Sequence, residues 1–137
     1  MMDAKGKIQA QGTLPTTEQG LREWQTRSAV RKGTAVAIES GTLAFFVARS
    51  LRALGLEPIV VDAHEARLKA QRPRQKSDRR DAHELCEGLR RGVYRSIIHI
   101  PPVAISALRE TLSRRRHFVR VQTAEINAAK HVLRAAG

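Results

Sequence analysis

Two short, almost uninterrupted apolar runs stand out along the chain, Thr34-Ala35-Val36-Ala37-Ile38 and Pro58-Ile59-Val60-Val61, closed by Glu39 and Asp62 respectively. Runs this short and this apolar predict strands buried on both faces. Between them Leu43, Phe46, Val47, Leu51 and Leu54 recur at helical spacing, and Gly55 stands where a helix ends. Strand, helix and strand in so short a span predict a βαβ unit, with the two strands parallel and joined right-handed. Ligand chemistry in such sheets gathers beyond the strand C-termini, where Glu39 and Asp62 lie.

The flanks follow other rhythms. Asp3-Ala4-Lys5-Gly6 reads as a turn, and Ile8, Ala10, Gly12 and Leu14 alternate loosely enough to predict a strand. Thr16 and Gln19 are spaced as a capping box for a helix whose buried face is Leu21 and Trp24. After the second strand come a short helix and a loop, then a helix from about Asp78 to Arg91 with Ala82, Leu85, Cys86 and Leu89 inward, stopped by Gly92. Tyr94 to Ile100 reads as an edge strand. Pro101-Pro102 leads into a long helix reaching about Ala135. Along it Ile105, Leu112, Val119, Ile126 and Leu133 recur every seven residues, while the companion positions Leu108, Arg115, Gln122 and Ala129 are only half apolar. This is a degraded coiled-coil pattern. Packing on its own domain and pairing with a helix outside the chain both remain open, although a helix of roughly 50 Å is too long for so small a sheet to cover. The expected organisation is residues 1–100 as one α/β domain and 101–137 as a partner helix.

Composition narrows the partners. The chain has 137 residues, enough for one domain, and 25 Lys+Arg against 13 Asp+Glu give a net charge of +12. That charge favours a polyanion. Nucleic acid is the better match, since no apolar run approaches membrane-spanning length and no signal segment is present. The single Cys86 forms no internal disulfide and fits a reducing cytoplasm. Aromatic residues make up only 4%, which argues against a binder built on rows of base-stacking platforms.

The densest chemistry lies in Lys76-Ser77-Asp78-Arg79-Arg80-Asp81-Ala82, behind a basic loop carrying Arg67, Lys69, Arg72 and Arg74. Asp78 and Asp81 fall on one helical face. Two readings compete. Asp78 as N-cap with Asp81 at N3 would satisfy free N–H groups and the positive helix end. Alternatively, the pair binds a divalent metal acting on a phosphodiester, because hard cations take oxygen ligands and few protein carboxylates each. With Glu39 at a neighbouring strand tip, three carboxylates can converge, and such a cluster repels itself unless a cation or a proton intervenes.

These residues resemble a family. The run AIESGTLAFFVARSLRALGLEPIVVDAHEARLKAQRPRQKSDRRDA is similar to the N-terminal RuvC-like DEDD domain of insertion-sequence transposases of the IS110 group, with Lys-Ser-Asp-x-x-Asp-Ala after a strand ending Glu-Ser-Gly as the most specific motif. DAKGKI with LPTTEQGLREW resembles that domain's second strand and first helix, and the segment from His99 onward its long helix. The resemblance implies an RNase H-like (RuvC-like) mixed sheet flanked by helices, lacking the opening strand and its aspartate, with a long C-terminal helix. Asp3 falls in the turn after that strand and is not taken as the missing ligand. The resemblance further implies Glu39, Asp78 and Asp81 as catalytic and metal-binding residues, two Mg²⁺ (or Mn²⁺) ions in an intact relative, DNA cleavage and strand exchange, and a structured guide RNA as partner. Nucleic-acid contacts fall to Arg72, Arg74, Lys76, Arg79, Arg80, Arg114, Arg115 and Arg116, with a homo-oligomer through the long helix and a nucleoid-associated location in a bacterial cytoplasm. It also implies a chain truncated at both ends, without the C-terminal domain that carries a serine nucleophile, and so inactive alone. A missing central strand would leave backbone groups costing about 1–3 kcal/mol each if buried without water.

Other candidates have plainer readings. His64 suits a loop histidine better than a general base, His83 a helix surface, Glu87 a partner for arginines, and Asp62 is a spare carboxylate. A non-catalytic basic module that binds nucleic acid remains the alternative function. No glycine-rich phosphate loop, zinc spacing or nucleophile elbow is present.

Overall fold

The computed structural model describes residues 1–69 and 77–137. It divides into two compact units, Met1–Ile100 and Pro101–Gly137. In the first, helix α1 (Glu18–Arg27) precedes strand β1 (Ala35–Glu39), helix α2 (Ala44–Ala53), strand β2 (Glu57–Val61), helix α3 (Ala63–Lys69) and helix α4 (Asp78–Arg90). The second unit is one helix, α5 (Val103–Ala135). The chain is thus α/β, as the apolar rhythm predicts.

β1 and β2 pair in parallel, Ala35 opposite Glu57 through Glu39 opposite Val61. Their connection through α2 makes the βαβ unit. Val60 and Val61 point to opposite faces of the sheet, yet both are 0% exposed, so β2 is covered on both sides. Ala44, Ala48, Val60 and Ile100 form one buried cluster, and Leu21, Val30, Leu51 and Leu56 another, with Ile38 packed against both. Helix α2 packs on both strands and α4 on β1. Gly55, at φ +79°, makes the left-handed turn that brings the chain back from α2 into β2.

The phase of the ladder follows from its ends. Glu57 N–H donates to Thr34 O, and Ser40 N–H donates to Val61 O. By alternation Val36 and Ile38 turn their N–H groups to β2, and Ala35, Ala37 and Glu39 turn theirs to the opposite edge. None of those three has a backbone hydrogen bond there among the described residues. Residue 58 faces away from β1 by the same phase, which is why proline is tolerated in β2.

Three predicted features are corrected. Residues 8–14 do not form a strand; only an isolated antiparallel bridge, Met2 to Ile8, closes the N-terminal turn. Residues 94–100 likewise form a single bridge, Val61 to Ile97, flanked by Asp62 N–H to Ser96 O and Ile98 N–H to Val60 O. The Arg95 and Ser96 amides donate instead to the Glu65 carboxylate, which prevents a regular ladder. Third, α1 is capped by Thr17, not Thr16, its side chain accepting from Gly20 N–H at 3.0 Å.

Every residue of α5 is exposed except the half-buried Ser106. Its heptad positions Ile105, Leu112, Val119, Ile126 and Leu133 are 42%, 52%, 46%, 47% and 72% exposed. Among the described residues no helix is long and apolar enough to cross a membrane.

Candidate functional site

Helix α4 starts at Asp78, and its N-cap is Ser77, in extended backbone, whose Oγ accepts from Arg80 N–H at 3.3 Å. This corrects the capping reading: Asp78 stands at N1 and Asp81 at N4, one turn apart. Among the described residues neither carboxylate has a hydrogen bond or ion pair. The other two aspartates differ. Asp3 accepts from Lys5 N–H and Lys7 N–H, both at 2.9 Å, and from Gln9 Nε2 at 2.7 Å, which fixes the N-terminal turn. Those donors, the Lys7 amide foremost, hold its carboxyl below the ordinary value. Asp62 starts α3 by accepting from His64 N–H at 2.9 Å and Glu65 N–H at 3.1 Å, so the spare carboxylate serves local structure, and His64 stands in the first turn of α3 rather than in a loop. Asp3 and Asp62 thus build turns, a role that Asp78 and Asp81 do not share among the described residues.

Glu39 ends β1 and is half-buried, also without a side-chain partner among the described residues. Because α4 packs against β1, the helix of the aspartates and the strand of the glutamate are neighbours. Ser40, next to Glu39, accepts from Ala63 N–H at 2.9 Å and so ties the end of β1 to the start of α3. Asp81 is half-buried and Asp78 exposed. All-carboxylate donors suit a hard cation. Among the described residues, however, no group of three or more His, Cys, Asp and Glu side chains is gathered so as to hold a metal ion. The acidic trio lies on adjacent elements but does not form a cage.

Two residues the sequence did not single out organise this region. Gly88 is the buried residue of α4, and the Tyr94 ring lies directly on it. The Tyr94 hydroxyl donates to Glu84 O at 3.2 Å. Burial raises the pKa of this phenol, and the Glu84 carboxylate, then those of Glu65 and Glu39, push it the same way. Of the predicted inward positions of α4, Leu85, Cys86 and Leu89 are half-buried, but Ala82 is exposed. A tyrosine packed on a helical glycine across a turn leaves no periodic signal.

The basic residues divide. Arg72, Arg74 and Lys76 lie outside the described residues. Arg79 and Arg80, with Ser77, His83 and Glu84, line a surface cleft opposite Ile8 and Gln11. Arg114, Arg115 and Arg116 are exposed on α5. Glu87 pairs with Arg90, whose guanidinium holds the Glu87 carboxyl below its ordinary value and also reaches Ala4 O at 3.4 Å.

A family model described as a transposase (DEDD, IS110 type) matches residues 1–136. No curated protein and no solved structure matches the chain.

Proposed function

The chain belongs to the DEDD transposase family of IS110-type elements, and from that premise we propose that it acts in DNA transposition, contributing Glu39, Asp78 and Asp81 to phosphodiester cleavage and strand exchange. In this reading the Met1–Ile100 unit is an RNase H-like (RuvC-like) domain, and the basic residues hold DNA and a structured guide RNA in a bacterial cytoplasm. One observation carries the proposal. Helix α4 opens with two aspartates that have no hydrogen-bond partner among the described residues, and it packs against the strand that ends in Glu39. Among the described residues these carboxylates have no side-chain partner, although the chain carries a net charge of +12. A cationic ligand explains them.

Mg²⁺ or Mn²⁺, two ions by the family resemblance, enters this proposal as a ligand of those carboxylates. The test is thermal unfolding of the chain during titration with Mg²⁺ or Mn²⁺, alongside the Asp78→Asn/Asp81→Asn variant. A metal-dependent rise in Tm that the double variant loses supports the reading. No rise, or an equal rise in both, overturns the metal assignment.

A second reading rests on the net charge of +12: a basic module that binds nucleic acid without catalysing its cleavage. It predicts salt-sensitive binding indifferent to divalent metal, with log affinity falling linearly in log salt. Self-association through the apolar ends of α5 is compatible with either reading.

A further inference from the structure

We propose that the middle of α5 is a binding site for single-stranded nucleic acid in which an unpaired base stacks on Phe118 while its flanking phosphates meet Arg114 and Arg115. The inference rests on the nucleic-acid reading above and deepens it by naming the form of nucleic acid and the residue that takes the base.

Of the three phenylalanines, one tryptophan and one tyrosine in the chain, only Phe118 is exposed. It is 58% exposed, while Trp24, Phe45, Phe46 and Tyr94 are all half-buried. A benzene ring left in water forgoes the burial that large apolar side chains usually gain. Its surroundings are cationic. Arg114, Arg115, Arg116, His117 and Arg120 lie within one turn of it on either side in sequence. The Arg114 guanidinium carbon is 5.8 Å from the ring centroid, and the His117 ring meets it edge-on with centroids 5.7 Å apart. Arg115, Phe118, Val119 and Gln122 line a shallow groove along the helix.

Charge selects the occupant. A second α5 laid along this stretch in parallel register would bring Arg115 against its own copy, a like-charge contact at a seam position, which is costly when desolvated. The apolar ends, Ile105 to Leu112 and Ile126 to Leu133, carry no such block of arginines. A nucleic-acid strand inverts the sign: its phosphates are attracted where a helix would be repelled, and its bases supply flat π-faces. A ring beside guanidinium groups offers stacking and cation–π attraction together. In a duplex the bases are already stacked on each other, so an isolated exposed ring favours an unpaired base. Low aromatic content argues against rows of stacking platforms, but one platform in an arginine cluster needs only one ring.

The test uses the full chain and fluorescein-labelled 15-nucleotide probes of mixed sequence, as single-stranded RNA, single-stranded DNA and the corresponding duplex DNA. Phe118→Ala is expected to weaken single-strand binding roughly tenfold or more, leaving duplex affinity and the salt slope of binding unchanged. Phe118→Trp should retain or tighten single-strand binding, whereas Phe118→Leu, apolar without a π-face, should behave like the alanine variant. Which of RNA and DNA suffers the larger loss identifies the source of the base. Equal single-strand affinities for the native chain and Phe118→Ala overturn the proposal, as does full retention by Phe118→Leu. So does a loss confined to self-association, read by sedimentation, which assigns Phe118 to a helix partner. If the native chain binds duplex but Phe118 is indifferent, this inference alone fails. If the native chain binds none of the probes, the nucleic-acid reading falls with it.

Discussion

The Tyr94 ring occupies the space that a side chain at Gly88 would need: a Cβ built there meets the Tyr94 hydroxyl and ring carbons. This contact locks the segment after α4 onto the helix that carries Asp78 and Asp81. Glycine inside a helix normally costs about 1 kcal/mol relative to alanine, so Gly88→Ala would stabilise α4 if nothing opposed it. Here overpacking costs about 1–3 kcal/mol and wins. Gly88→Ala is expected to lower Tm by several degrees in thermal unfolding followed by circular dichroism. In a Tyr94→Ala background the same substitution should be neutral or stabilising, and a fall of equal size there would show that the clash is not the cause.

The same tyrosine sets a limit at high pH. Burial, with the Glu84 carboxylate next, raises its pKa above the ordinary value. The folded chain therefore binds the phenolic proton more tightly than the unfolded chain does. Stability is fully present below the unfolded tyrosine value near 10 and is lost as pH rises beyond it through the folded value. The native chain should lose Tm more steeply than Tyr94→Phe between about pH 9.5 and pH 11. Parallel curves would assign the alkaline loss to other groups.

Elements buried by a single period were open to sequence reasoning, because burial and spacing report the same fact. Val60 and Val61 are both apolar because both faces of β2 are covered, and Gly55 ends α2 because the turn there needs positive φ. Alternation without a partner misled. Ile8, Ala10 and Leu14 alternate, but a strand requires a neighbour to bond with, and only Met2 pairs with Ile8. Residues 94–100 do lie beside β2, yet Glu65 takes the Arg95 and Ser96 amides, a competition between side chain and backbone that no periodicity encodes. The spacing of Asp78 and Asp81 put them on one face, but not which residue caps the helix, since Ser77 and Asp78 are both good N-caps. Phe118 went unread because composition counts aromatics and does not say which one faces water.

Glu65 ties α3 to the segment alongside β2, accepting from Arg95 N–H at 3.0 Å and Ser96 N–H at 2.6 Å. The Arg95 amide, then the Ser96 amide, holds its carboxyl below the ordinary glutamate value. A depressed folded value means stability that is present above the unfolded pKa and lost as pH falls through the folded one. Between about pH 5 and pH 3 the native chain should lose Tm faster than Glu65→Gln, which cannot gain that proton. The variant should also exchange its Arg95 and Ser96 amides faster at neutral pH. Unchanged protection of those two amides would mean that the carboxylate is not what holds the segment.

Ser77 and the aspartates behind it make opposite predictions about folding. The Ser77 hydroxyl caps α4, and an N-cap serine replaced by alanine costs about 1 kcal/mol. Among the described residues Asp78 and Asp81 make no hydrogen bond, and there their folding contribution is a helix-dipole attraction of about 0.3–1 kcal/mol each, offset by their mutual repulsion one turn apart. Ser77→Ala should therefore lower Tm more than Asp78→Asn/Asp81→Asn does, measured without divalent metal and at the same ionic strength. Any effect of divalent metal on Tm should run the other way, surviving Ser77→Ala and disappearing in the aspartate variant. If the double asparagine variant is the less stable of the two in metal-free buffer, the aspartates are structural after all. Their lack of protein partners would then no longer point to a ligand.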